Sequence, residues 1–198
     1  MTILHALTAK ARLLQEIKKS RFVAKAAPVG DPELAMAMLA EMGDPLATHN
    51  CWAYRIGQAY RFSDDGEPSG TTGRPILQAI EGQGFDQVIV VVTRWYGGIK
   101  LGAGGLARAY GGCAAECLRL APRSEIVVKT SLVVRLEFSL LPILHSRLSE
   151  FAAETMNEAF GADGVELTLC MPTARTEEFS VFLQDLSKGR ADLKIETG

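Results

Sequence analysis

The chain has 198 residues, 47% of them hydrophobic, and its 21 Lys+Arg against 23 Asp+Glu give a net charge of −2. That apolar content excludes a disordered chain and suffices for the core of one large domain or two small ones. The apolar run Val88–Val92 is far too short to cross a bilayer, and the chain has no broad basic excess, so any nucleic-acid binding must use a local patch.

The opening MTILHALTAKARLLQ lacks the basic-then-apolar layout of a secretory signal, and no membrane partner is expected. The expected location is cytoplasmic, with the four cysteines as reduced thiols. Residues 11–17 and 21–27 read as two strands of a hairpin around the basic corner Lys18-Lys19-Ser20-Arg21. Asp31-Pro32 opens a helix as N-cap and first position, Leu34, Met38, Leu39 and Met42 form its apolar face, and Gly43 ends it. HNCWAYRI at 49–56 reads as a strand. Residues 57–73, polar and rich in glycine, read as loop, and Arg74-Pro75 opens a short helix to about Gly82. DQVIVVVTRWY at 86–96 is the strongest strand, and its run of Val and Ile predicts burial on both faces. A glycine loop at 97–105 leads into a helix that reaches about Leu120, with a stripe of Leu106, Tyr110, Cys113, Cys117 and Leu120.

Composition shifts near residue 125. Residues 1–125 carry 14 Lys+Arg and 12 Asp+Glu, whereas 126–198 carry 7 and 11. The predicted domains are therefore 1–125 and 126–198. In the second, Leu132, Val134, Leu136 and Phe138 alternate as in a half-buried strand. Pro142 sits early in a helix with Leu144, Leu148 and Phe151 on one face. Gly161-Ala-Asp-Gly164 turns a hairpin. Phe179, Phe182, Leu183 and Leu186 fit a helix that Gly189 ends, and ADLKIET at 191–197 is the last strand. The order β-α-β-β-α-β is that of a ferredoxin-like split βαβ.

Two glycine-bearing loops feed helix starts. SDDGEPSGTTGRPIL at 63–77 brings Ser69, Thr71, Gly73 and Arg74 to one helix, and GGIKLGAGG brings Gly102 and Gly104 to the next. Helix N-termini offer free N–H groups and the positive end of the dipole, so a shared anion-binding cleft flanked by Arg94 and Lys100 is one reading. Glycines that merely permit close helix–sheet packing are the other. Gly102-x-Gly104-x-x-Ala107 fits a relaxed dinucleotide fingerprint, but it does not turn directly off the strand, so no nucleotide cofactor is expected. Asp64, Asp65 and Glu67 suit a hard cation or an acid/base pair only if further groups converge on them; turn caps facing water are the plainer reading. His49-x-Cys51 with Cys113-x3-Cys117 departs from the zinc-deaminase pattern in both halves, and Cys113 and Cys117 continue a packed stripe, so no metal is expected. His145 is expected to be exposed and Trp52 to be packed. Trp95 and Tyr96, at a loop mouth, are the better stacking surfaces.

KKSRF at 18–22, HNCWAYRIG at 49–57, FSDDGEPSGTTGRPIL at 62–77 and VVTRWYGGIKLGAGGLARAYG at 91–111 resemble the signature blocks of the IMPACT/YigZ family. The likeness spans roughly residues 15–120, and 126–198 resembles the C-terminal domain of bacterial members. The resemblance implies an α+β first domain like domain four of elongation factor G and RNase PH-type folds, with a crossover that can be left-handed. It implies a ferredoxin-like second domain, similar to domain five of that factor. Eukaryotic relatives regulate translation initiation by competing for an activator of an initiation-factor kinase, and they carry an additional N-terminal protein-binding domain. This chain starts directly at the shared domain, so that pathway is not expected to carry over.

The expected function is thus a non-enzymatic, translation-linked role with RNA or the ribosome as partner and no catalytic residue. An enzyme acting on a phosphorylated or nucleotide substrate in the same cleft, using Asp64, Asp65 or Glu67, is one alternative. A module binding a protein partner in translation control is another. Lys18, Lys19, Arg21, Arg94 and Lys100 are the expected phosphate contacts, and reversing Arg94 and Lys100 to Glu is expected to abolish ribosome binding at little cost in stability.

Overall fold

A computed structural model describes residues 4–196 and divides the chain into two units, Met1–Ile126 and Val127–Gly198. In chain order the first unit runs β1 (His5–Leu7), β2 (Ala11–Ile17), β3 (Ser20–Pro28), α1 (Pro32–Met42), β4 (His49–Ile56), β5 (Ala59–Ser63), α2 (Gly73–Gly82), β6 (Val88–Trp95), α3 (Ala103–Leu120) and β7 (Arg123–Glu125). Strands β2-β3-β6-β4-β5 form one sheet in which every neighbour is antiparallel.

The apolar run of β6 occupies the centre of that sheet. Val88, Val90 and Val92 pack under α2 and α3, with Phe22, Cys51, Ile76, Ile80 and Tyr110. Ile89 and Val91 face the other way, toward α1, with Trp52 and Tyr54. Period-two alternation thus assigns one helical layer to each face, and burial on both faces follows.

Local departures from the sequence reading have physical causes. On α1 the buried positions are Ala35 and Met42, while Leu34 is 41% exposed. Asp31 caps the helix by accepting a hydrogen bond from Leu34 N, which places residue 34 in the solvent-facing first turn. Residues 57–73 are not all loop: Gly57-Gln58 is a two-residue turn, and β5 pairs with β4 from Ile56↔Ala59 to Trp52↔Ser63. α3 begins at Ala103, so Gly104 and Gly105 lie inside its first turn, and the loop is shorter than 97–105. Leu120, the last residue of α3, is 60% exposed, whereas Leu118 is fully buried. The short pair β1–β7 was not anticipated: three residues each, joined across more than a hundred positions.

Lys18 and Lys19 make the two-residue β2–β3 turn, with φ of 46° and 65°. Two positive φ values are what a tight hairpin requires, because that turn matches the right-handed twist of the strands.

The second unit comprises β8 (Lys129–Leu136), α4 (Leu141–Arg147), β9 (Glu154–Phe160), β10 (Val165–Pro172), α5 (Thr176–Ser187) and β11 (Asp192–Glu196). Its sheet has the order β11-β8-β10-β9, antiparallel throughout. Leu132, Val134 and Leu136 enter its core with Leu144, Leu148, Phe151, Phe179 and Leu183. Phe138 leaves the strand pattern: it opens a 3-10 turn, is 43% exposed, and stacks on Phe160. Of the predicted last strand, Thr197 lies outside the described residues. Both units are mixed α+β with antiparallel sheets. Among the described residues no helix is long and apolar enough to cross a membrane.

Candidate anion-binding site

Strand register decides which residues share one end of the first sheet. Ser20 closes the Lys18-Lys19 turn, Arg21 sits opposite Trp95, Phe22 opposite Arg94, and His49 opposite Arg94. Alternation then sends neighbours to opposite faces. Arg94 follows Val88, Val90 and Val92 toward α3, with its guanidinium 5.6 Å from the Phe22 ring centre. Trp95 points to the other face, where the Arg21 guanidinium lies 3.9 Å over its ring.

On the α3 side Arg94 meets Glu67. Arg94 Nη1 donates to Glu67 Oε1 at 2.6 Å, and the two side chains are only 5% and 6% exposed. Tyr110 OH donates to the same oxygen at 2.9 Å. Burial, first, and the neighbouring Cys51 and Glu67 push the Tyr110 phenol far up, so it remains a donor. Arg94 Nη2 donates to Ser20 Oγ at 3.3 Å, and Gly97 N donates to the same hydroxyl at 3.2 Å. His49 Nδ1 lies 2.7 Å from the Asp65 carbonyl, an acceptor only, so this nitrogen carries the proton; Nε2 lies 3.9 Å from Glu67 Oε1.

A cavity of about 470 Å³ opens beside this cluster. Glu67 and Pro68 from the first loop form one wall, and Tyr96, Lys100, Leu101 and Gly102 from the second form another. His49, Arg94, Ala103 and Leu106 complete it with Thr48. α3 enters the cavity at its N-terminus, where Gly102 is the cap residue and no side chain accepts from the first-turn N–H groups. Arg108, exposed and one turn along, folds back over this end: a Cβ built on Gly104 would lie 3.6 Å from Arg108 Nη1. Neither Lys100 nor Arg108 has an acid within salt-bridge distance among the described residues.

The N-terminus of α2 is used differently. Asp64 Oδ1 accepts from Thr72 N at 3.0 Å, Thr72 Oγ1 at 2.8 Å and Gly73 N at 2.9 Å, and Oδ2 accepts from Gly70 N at 2.8 Å. A carboxylate of the chain itself thus fills this anion position. Asp65 Oδ2 accepts from Asn50 N at 2.6 Å.

Two family models match the chain: the Impact N-terminal domain over residues 18–118, and a domain of unknown function (DUF1949) over 134–190. An IMPACT family member of Thermus thermophilus is 48% identical over 88% of this chain and 97% of its own length. The chain belongs to the IMPACT family. The IMPACT family member YigZ of Escherichia coli is 36% identical over 93% of this chain and 94% of that protein. A crystal structure described as a hypothetical protein covers 100% of this chain and 98% of its own at 35% identity, with a TM-score of 0.64.

Within this IMPACT family member the predicted site residues separate into groups. Arg94, Tyr96, Lys100 and Gly102 line the cavity, and Gly104 lies in the adjoining helical turn. Arg94, however, is buried and ion-paired, and it adds no free positive charge. Ser69, Thr71, Gly73 and Arg74 do not line the cavity; Thr71 Oγ1 donates to Pro68 O, and Gly73 N is taken by Asp64. Lys18, Lys19, Arg21 and Trp95 also lie outside it, the last two on the opposite face of the sheet. Asp64, Asp65 and Glu67 accept hydrogen bonds from the chain's own donors. Among the described residues no three His, Cys, Asp or Glu side chains group as a metal site. Cys51 donates to the Asp64 carbonyl at 3.0 Å, and Cys113 to Gln15 Oε1 at 2.9 Å. Burial pushes the Cys51 and Cys113 thiols to about 12 and Cys117 to about 11. His145, 40% exposed in its side chain, is within 3.0 Å of Glu158.

Sequence reasoning overlooked His49 and Arg108 as members of this site. Arg108 was detectable, because residues i and i+4 of a helix share a face, and Gly104 was already singled out.

Asp64 yields a pH prediction. Burial raises its carboxyl pKa, but hydrogen bonds from Gly70, Gly73 and Thr72 outweigh it and hold the group below its usual 3.8. A depressed folded pKa stabilises above the unfolded value and is lost as pH falls through the folded one. The amides of Gly70, Thr72 and Gly73 should therefore hold their NMR shifts down to about 3.8 and move together only below it. Asp64→Ala should cost about 1–2 kcal/mol, as loss of a helix cap does. Movement of these amides near pH 5 would contradict the assignment.

Proposed function

We propose that this protein is a non-enzymatic, translation-linked regulator that contacts RNA or the ribosome through the cavity between its two glycine-bearing loops. The observation that carries this reading is the uncapped N-terminus of α3, opening on a cavity that Lys100 lines, with Arg108 beside Gly104 of that helix's first turn. First-turn N–H groups and two unpaired cations suit a phosphate. Lys18, Lys19 and Arg21 form a second basic group at the same end of the sheet, suited to a neighbouring stretch of backbone. Membership of the IMPACT family supports a translation-related regulatory role. A likeness of the first unit to domain four of elongation factor G, and a ferredoxin-like second unit with order β11-β8-β10-β9, belong to the same reading, as does a cytoplasmic location.

Reversal of Lys100 and Arg108 to Glu tests it. Both side chains are exposed, so thermal stability should be unaltered. Co-sedimentation with ribosomes at low salt should disappear, and the salt slope for single-stranded RNA should fall by about 1.4, the share of two phosphate contacts. A parent protein that binds neither ribosomes nor RNA at low salt would defeat the reading.

A further inference from the structure

Glu67 is anomalous in an anion-binding cavity. Its side chain is 6% exposed and lines the cavity, so burial alone opposes its charge. Arg94 and Tyr110 both donate to Oε1. Oε2 has no donor among the described residues, and Glu67 is part of the cavity wall. His49, its Nδ1–H engaged by the Asp65 carbonyl, sets Nε2 3.9 Å from Glu67 Oε1 at the same end of the cavity. One end of the cavity thus attracts an anion, and the other offers a carboxylate oxygen that only a donor-bearing group satisfies. Tyr96, 46% exposed, and the apolar Leu101, Leu106 and Pro68 supply a flat surface between them.

A ligand that fits must join a phosphate, a hydroxyl and a flat apolar ring in one small unit. Resting on the RNA-contact reading above, we propose that the cavity takes a single ribonucleotide and reads its 2′-hydroxyl. The phosphate lies at the α3 N-terminus between Lys100 and Arg108, the base against Tyr96, and the ribose 2′-hydroxyl donates to Glu67 Oε2. A carboxylate that accepts from a ribose hydroxyl is a recurrent solution to ribose recognition, and the 2′-hydroxyl is the group by which a protein tells RNA from DNA. Deoxyribose leaves a buried carboxylate oxygen without its donor, which costs more than an ordinary lost hydrogen bond. The cavity volume, about 470 Å³, holds one nucleotide rather than a duplex.

The test uses the full chain and three short 5′-phosphorylated, 3′-fluorescein oligouridylates: ribose, deoxyribose and 2′-O-methyl. The last keeps the RNA-like sugar shape but lacks the donor. Anisotropy titrations should show the ribose probe bound about tenfold to a hundredfold more tightly than the other two, the worth of one hydrogen bond to a charged acceptor. Glu67→Gln should abolish the difference; if that variant does not fold, the 2′-O-methyl comparison on the unaltered protein decides alone. Equal binding of all three, or 2′-O-methyl binding equal to ribose, overturns the 2′-hydroxyl inference and leaves RNA contact standing. No binding of any probe overturns both.

Discussion

Arg94→Met should destabilise the first unit by about 3–5 kcal/mol, the cost of stranding one member of a buried ion pair. The pair is 2.6 Å long, and its side chains are 5% and 6% exposed. Methionine keeps much of the arginine volume, so the loss reports charge rather than a cavity. Glu67 would be left nine-tenths buried with only Tyr110 OH donating to it, and Ser20 Oγ would lose its Arg94 bond. Thermal unfolding should show the transition more than 10 °C lower, since about 1 kcal/mol corresponds to a few degrees in a domain of this size. The double variant Arg94→Met/Glu67→Leu should recover much of the loss, because replacing a whole buried pair by apolar groups is often close to neutral. A single variant that melts within two degrees or so of the parent would mean that the pair is solvated. The sequence reading, in which reversal at Arg94 costs little stability, is corrected by this burial.

Gly97→Ala should be as damaging for a different reason. A Cβ at Gly97 would stand 1.9 Å from Lys19 O, 2.1 Å from Lys19 C and 2.6 Å from Ser20 N. All three are backbone atoms, so no rotamer relieves the overlap, and either the β2–β3 turn or the β6 exit must move. Either movement breaks the Gly97 N–Ser20 Oγ bond and disturbs the Arg94 contact to the same hydroxyl. The expected cost is about 3 kcal/mol or more, at the upper end for overpacking. Hydrogen exchange should rise at residues 18–22 and 94–97. Gly98→Ala is the control: nothing lies within 4 Å of its Cβ, and its φ of 87° costs about 1–2 kcal/mol. If Gly97→Ala is no worse than Gly98→Ala, conformational freedom rather than close approach explains both glycines.

These two variants also mark where sequence ceased to be sufficient. β4 was readable residue by residue, because HNCWAYRI is bounded by turn residues on both sides and packs on both faces. The run at β6 announced its own burial. β5 was hidden, since the first three residues of AYRFS are all exposed and the segment follows the Gly57-Gln58 turn, and its pairing to β4 is what makes it a strand. The chemistry of the first loop was legible as a group of acids, but not as the partner of Arg94, which lies 27 positions away. Residue type shows that a charge exists; only the fold shows whether it is already neutralised. The same limit concealed the split of Arg21 and Trp95 from Arg94: a period of two separates neighbours in a strand, yet their common charge and location in sequence suggested one patch.

The Lys18-Lys19 turn bears on how this protein would respond to engineering. A hairpin of this geometry prefers Asn-Gly, and each lysine held at φ of 46° and 65° costs about 1–2 kcal/mol relative to φ < 0. Asn-Gly here would therefore raise the melting temperature and at once strip two positive charges from the tip that Gly97 holds in place. Selection for thermostability and selection for a charged tip pull this dipeptide in opposite directions. A campaign scored on melting alone would drift toward a sturdier protein with a blunted basic edge.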